Sequence, residues 1–240
     1  MTAGLRHDDE SATSELVVWS ALVSGRDWAF VVDVGSHRGA ALTDVQLPPG
    51  TAAVAFEPHP DRCASLRRAV ALRGLPVRVE EMAVTSGIGT AELRRSERPP
   101  RMWTLEPVST LGPEASIHVA TTSLTGYFAG DDAESVCVRV SVPGHEGAVL
   151  AGSVEVLSRV RNAAVMLNAS YLSDREIERL SVDWRLYAYD HRSTRFVEVS
   201  GSPRLAARVI RAGWCDPRQV VLVHRHASPP LTEMLRESSL

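Results

Sequence analysis

Short apolar runs alternate with stretches of helical periodicity along most of the chain. Leu16, Val17, Trp19, Ala21 and Val23 carry the apolar content of a first helix, with Ser14 as its cap and Gly25 just past its end. Ala29-Phe30-Val31-Val32-Asp33-Val34 follows. It has no polar alternation, which predicts a strand buried on both faces. A short helix is expected after Gly39, and Ala52–Phe56 reads as the second strand. Pro58 and Pro60 stop that strand, and Asp61 is the expected cap of a helix over Arg62–Arg73 that ends at Gly74. Val77–Val84 reads as a third strand and Gly87–Leu93 as a short hairpin or edge strand, while Arg94–Pro113 reads as irregular.

The second half repeats the rhythm. Val136–Val142 is a strand broken at Pro143-Gly144, and a helix is expected from Glu146 to Val160. Ala163–Leu167 is the next strand. Ser173 and Glu176 have the spacing of a capping box, opening a helix to Ser181. Trp184–Tyr189, a helix near Leu205–Ala212, and Gln219–His224 complete the series. Seven strands alternating with helices predict an α/β fold: one doubly wound, mostly parallel sheet with helices on both faces. Residues 1–14 read as a disordered terminus and 15–240 as one domain. The helix bearing Leu16, Trp19 and Val23 can pack on a second copy, forming a homo-oligomer, as readily as on its own sheet.

Composition narrows the chemistry. Of 240 residues, 26 are basic and 29 acidic, for a net charge of -3, so there is no global positive field for a nucleic acid. Every basic residue is arginine. Schiff-base chemistry, a phosphate-loop lysine and a lysine general base are therefore excluded. Arg94, Arg95, Arg98 and Arg101 make a local basic cluster, read as a solvated loop or as an attractor for an anionic substrate. Cys63, Cys137 and Cys215 are odd in number and scattered, which fits a reducing cytoplasm better than a disulfide framework. The polar, acidic start is unlike a secretory signal, and no apolar run is long enough to span a bilayer. The expectation is a cytoplasmic protein with no membrane partner.

The candidate site lies where the first strand ends. Asp33-Val34-Gly35-Ser36-His37-Arg38-Gly39 joins strand to helix, and ligands of open α/β sheets bind beyond the carboxyl ends of strands. Gly35 permits a tight turn or close approach, and Gly39 allows the next helix to pack near the strand. The spacing lacks the three-glycine cradle for a pyrophosphate and suits a ligand without phosphates. Glu57 ends the second strand 22 positions after Gly35, near the spacing of a carboxylate that binds a ribose diol.

These residues resemble the FkbM-type family of S-adenosylmethionine-dependent methyltransferases. The likeness is carried by Val31–Gly39, by Ala55-Phe56-Glu57-Pro58-His59-Pro60, and by Met82-Ala83-Val84. Ser109-Thr110-Leu111, Thr122–Thr125 and the block Val140–Gly152 extend it, so it spans roughly Phe30 to Asn168. The resemblance implies a Rossmann-like methyltransferase fold, S-adenosyl-L-methionine as cofactor and a small-molecule methyl acceptor, often a sugar or a specialised metabolite. It implies that Asp33, Gly35, Ser36 and Gly39 hold the methionine end, that Glu57 holds the ribose and that Met82 and Ala83 flank the adenine, with Pro58 and Ser141 also among the cofactor-binding residues. His145 and His37, beside the strand ends, are the candidate bases for an acceptor hydroxyl. Ser141 and Pro143 stand where the family has acids, as does Asn168 at the end of the next strand. That removes metal ligands, so the expected chemistry is metal-independent. The same departures leave open a catalytically inactive binding module of this fold. A nucleotide-dependent oxidoreductase with a degenerate glycine loop is a third option.

Overall fold

The structure, a computed structural model, describes residues 15–95, 103–106, 116–190, 193, 195–199, 203–212, 216–227, 233 and 235. The first helix, α1 (15–24), leads into β1 (Phe30–Val34), α2 (Ala40–Thr43), β2 (Ala52–Phe56), α3 (Pro60–Arg73) and β3 (Val77–Glu80). Four short strands follow: β4 (Ala83–Val84), β5 (Gly89–Arg95), β6 (Trp103–Glu106) and β7 (Ser116–Thr122). Next come α4 (Leu124–Tyr127), β8 (Ser135–Val140), α5 (Glu146–Ala151), α6 (Val154–Arg159) and β9 (Asn162–Leu167). The chain closes with α7 (Asp174–Asp183), β10 (Trp184–Asp190), β11 (Arg195–Glu198), α8 (Pro203–Arg211) and β12 (Asp216–His224).

The main sheet has eight strands in the order β11-β10-β12-β9-β8-β1-β2-β3. From β3 to β9 the strands are parallel, and β12 is inserted antiparallel between β9 and β10. Strand order reverses between β1 and β8, the switch point of a doubly wound, Rossmann-like sheet. Alternation along each strand sorts side chains onto two faces. Val32, Val34, Val138, Val140, Val165 and Leu167 join a core with residues of α4 to α8. On the opposite face Val31, Cys137, Ala164, Met166 and Val221 pack with Val18, Trp19, Leu22 and Val23 of α1 and Leu66 and Val70 of α3. The apolar face of α1 is thus spent on its own sheet, pinned by a hydrogen bond from Trp19 Nε1 to the Ala41 carbonyl (2.7 Å). It is not left for a second copy.

The same alternation places one ion-paired group inside. Asp33 and Arg139 are register partners across the parallel β1–β8 pair, so both point to the α1 face. Arg139 Nη1 bonds Asp33 Oδ1 at 2.7 Å, and its Nη2 lies 2.6 Å from Glu15 Oε1 on α1. Asp33 is 0% exposed. Burial opposes the Arg139 charge, but the two carboxylates outweigh it and hold the guanidinium above its ordinary value.

Several expectations are corrected. The sheet has eight strands, not seven, because β11 pairs with β10 at the edge. Val77–Val84 is not one strand: it breaks at Glu81-Met82, and Ala83-Val84 joins a separate four-stranded sheet of order β4-β7-β5-β6. The stretch read as irregular supplies β6, whose partner is β5, and the expected edge hairpin is β5, central in that sheet. Helix α3 starts at Pro60 with His59 as its cap, since proline's fixed φ suits the first helical position; Asp61 lies in the first turn. The helix expected over Glu146–Val160 is two, divided at Gly152-Ser153, where Ser153 Oγ donates back to the Val149 carbonyl (2.5 Å). The Ser173–Glu176 capping box is present. Ser14 and residues 1–13 lie outside the described residues, as do Arg98, Arg101, Ser109, Thr110, Leu111 and Cys215. No helix among the described residues is long and apolar enough to cross a membrane.

Replacing Arg139 by Met leaves Asp33 buried without its countercharge. The expected loss is about 3 kcal/mol of unfolding free energy in urea titration, much of it recovered when Asp33→Asn is added.

Candidate functional site

At the carboxyl ends of β1, β2 and β8 lies a cavity of about 520 Å³. Backbone bonds build its rim: Gly35 and Ser36 N–H both donate to the Phe56 carbonyl at 3.0 Å, and Ser141 N–H donates to the Val34 carbonyl at 2.9 Å. Gly35 has φ 82°, and a Cβ there would run into the Ser141 carbonyl oxygen. Only glycine lets the β1 loop and the end of β8 come this close.

Glu57 ends β2 and is 3% exposed, yet it lines the cavity. Its two oxygens are held separately: Oε2 accepts the His37 N–H (2.8 Å) and Oε1 the His59 N–H (2.9 Å). One side chain thereby ties the loop after β1 to the loop after β2. Burial pushes its carboxyl above the usual range, opposed by those two N–H groups and by the charge of Arg62. The bond to His37 also accounts for the left-handed φ of 51° at that residue, an uncommon conformation outside glycine. Each carboxylate oxygen keeps a free lone pair for a ligand hydroxyl.

Most of the sequence-predicted residues meet here. Gly35, Ser36, His37, Glu57 and Pro58 line one side of the cavity. Met82 and Ala83 line another, joined by Leu93 and Leu105 from the second sheet, and Ser141 and His145 line the β8 side. Two predicted residues do not line it. Asp33 lies beneath, bound to Arg139, which itself lines the cavity together with Glu15. Gly39 faces α3, where a Cβ would strike Leu66 Cδ1, so its part is the close packing expected of it. Burial, then the charges of Arg62 and Arg38, lower the pKa of His37 and keep its imidazole neutral at pH 7.

The residues missed at the sequence level are Arg139, Glu15, Arg62 and Glu146. A lone arginine in the run Val136-Cys137-Val138-Arg139-Val140 was the available signal, because a charge on a buried strand needs a partner. Glu146 is 1% exposed, and its Oε2 accepts the Gly144 N–H at 2.9 Å. Its Oε1 is buried without a hydrogen-bond partner. It lines a smaller cavity of about 70 Å³, with Asn168 and Tyr171, that shares Glu15, Ser141 and Pro143 with the larger one. Burial, against bonds from nearby backbone N–H groups, pushes the Glu146 carboxyl up to about 7. Among the described residues no three His, Cys, Asp or Glu side chains are grouped to hold a metal ion.

No family model matches the chain, and no curated protein matches it. Solved structures similar to it include a precorrin-6Y C5,15-methyltransferase from Geobacter metallireducens GS-15, at 9% identity and TM-score 0.46, covering 88% of each chain. An O-methyltransferase from Bacillus cereus in complex with SAH has 10% identity and TM-score 0.42, covering 88% of this chain and 80% of that one. The B. subtilis m1A22 tRNA methyltransferase has 13% identity and TM-score 0.44, covering 92% and 72%. The fold assignment rests on the observed strand order and not on these distant likenesses.

Glu146 is protonated in the folded state up to about 7 but ordinarily titrates near 4.5. Its contribution to stability is therefore full below about 4.5 and lost as pH rises through 7. Glu146→Gln removes that loss. Relative to wild type, the variant gains roughly 1–3 kcal/mol between about pH 5 and pH 8 in urea unfolding.

Proposed function

We propose that this chain is an S-adenosylmethionine-dependent methyltransferase acting, without a metal, on a hydroxyl of a small molecule such as a sugar or a specialised metabolite. The observation that carries the reading is Glu57: a buried carboxylate at the end of β2, inside a cavity at the switch point, with lone pairs left for a sugar diol. The FkbM-type sequence resemblance supports the same reading; a cytoplasmic setting is part of the proposal, as the free thiols of Cys63 and Cys137 suit a reducing compartment.

The residues present fit such a cofactor. Glu57 receives the ribose hydroxyls, and the apolar wall of Met82, Ala83, Leu93 and Leu105 takes the adenine face. Gly35 lets the methionine end lie against backbone, with Ser36 and Ser141 as polar neighbours. The bound cofactor supplies a sulfonium methyl for in-line displacement, a reaction governed mainly by positioning. His145, on the β8 side, accepts the proton of the attacking hydroxyl; His37, held neutral, is the second candidate for that step. Ser141, Pro143 and Asn168 offer no carboxylate at the strand ends, which favours proton transfer to an imidazole over metal assistance.

Calorimetry with S-adenosylhomocysteine tests this. Saturable binding is expected, weakened about tenfold or more by Glu57→Gln, while NAD gives no heat. Absence of heat at millimolar ligand overturns the reading. Incubation with donor and a metabolite extract should yield a product heavier by one methylene. His145→Asn should lower that turnover by about 10²-fold or more, with S-adenosylhomocysteine affinity retained. Binding without any product would instead identify a non-catalytic module of the same fold.

A further inference from the structure

Two arginines from separate elements line the cavity, and the charge of a third acts on one of them. Arg38 is in the loop after β1, Arg62 in the first turn of α3, and Arg95 at the end of β5 in the second sheet. Arg38 and Arg62 line the cavity beside His37. The charges of Arg38 and Arg95 both act on Arg62, whose half-buried guanidinium is held below its ordinary value by burial first and by those two cations after it. Glu57 is the acid that acts favourably on Arg62, one negative charge against the three arginines.

The neighbouring arginines behave differently. Arg67 pairs with Glu81 at 2.9 Å and Arg94 with Glu92 at 2.8 Å. Among the described residues Arg38, Arg62 and Arg95 form no ion pair. The rim therefore holds a local surplus of positive charge on a chain whose net charge is -3. Gathering like charges around a partly desolvated guanidinium costs energy, and such concentrations mark sites where an anion offsets the cost. Three guanidinium forks suit a phosphate, whose several oxygens can accept from more than one of them.

The cofactor of the proposed function does not account for this surplus. It carries no phosphate, and its carboxylate lies at the methionine end, away from the ribose held by Glu57. We propose that Arg38 and Arg62, with Arg95 adding its charge, form a subsite for a phosphate group carried by the small-molecule acceptor. The proposal rests on the methyltransferase reading for the acceptor's role, and on the arginine cluster alone for the anion. A polynucleotide fits less well, because among the described residues Arg38 and Arg62 sit at one cavity mouth on a chain of net charge -3.

The experiment is a titration of inorganic pyrophosphate into the full chain, free and saturated with S-adenosylhomocysteine, at two salt concentrations. Saturable binding that weakens with salt is expected, reduced about tenfold by Arg62→Gln and by Arg95→Gln. Arg67→Gln, at a paired arginine outside the cavity, should leave it unchanged. Circular dichroism confirms that each variant is folded. No pyrophosphate binding by protein that binds S-adenosylhomocysteine overturns the subsite and leaves the methyltransferase reading standing, as does binding indifferent to Arg62→Gln and Arg95→Gln. Failure of S-adenosylhomocysteine to bind, with pyrophosphate still bound through these arginines, removes the acceptor role and keeps the anion site. A mixed-sequence oligonucleotide that binds through the same arginines more tightly than pyrophosphate overturns the small-molecule assignment.

Discussion

Glu57 is the constraint on which the rest of the site depends. A carboxylate 3% exposed at the end of a strand would be costly if its oxygens were unmet, and here two backbone N–H groups meet them. Those donors belong to His37 and His59, so a single side chain fixes both loops that border the cavity. It holds His37 in the left-handed region, which sets where Arg38 departs, and it anchors the cap of α3, which sets where Arg62 departs. The polar contacts that satisfy the acid are the same contacts that shape the binding surface.

Beneath that surface the Asp33–Arg139–Glu15 group plays a different part. It follows from register: two strands of one parallel pair each place a charged residue on the α1 face at the same level. Their attraction and the reach of Glu15 from α1 close the floor of the cavity. Removing either partner of such a pair is costly because the survivor remains buried. The group therefore couples docking of α1 to the shape of the site.

Four of the parallel strands were legible because each is largely buried on both faces and reads as a mostly apolar run, interrupted by Asp33 in Phe30–Val34 and by Arg139 in Ser135–Val140, with Ala52–Phe56 and Asn162–Leu167 beside them. The second sheet was not. Its core is small, Ala83, Leu93 and Val119 with Leu105 and Ile117 against them, so β5, β6 and β7 carry little hydrophobic pattern and are set by pairing to one another. The split between β3 and β4 is hidden for the same reason, since the apolar residues on either side belong to different sheets. At the site, residue types tied to a strand end were legible: Gly35, Glu57 and His145 all line the cavity. Residues brought in by tertiary packing were not. Glu15 arrives with α1 and Arg62 with the first turn of α3. The unpartnered oxygen of Glu146 becomes evident only when the space around it is known.

The charges of the cavity are divided, and the division bears on the ligand. At the floor, two carboxylates, Asp33 and Glu15, share the one guanidinium of Arg139, leaving a surface suited to the cationic group of a zwitterionic ligand. At the rim, Arg38 and Arg62, with the charge of Arg95 acting on Arg62, outnumber the one acid beside them, Glu57. A single ligand that satisfied both regions would need a sugar diol, a zwitterionic end and a separate anion at the opening. Two ligands sharing one cavity divide those requirements without conflict: one covers the bonded floor, and the other places its anion among the arginines at the entrance. A group-transfer site needs such an arrangement, because donor and acceptor must enter a common space yet be held by different chemistry.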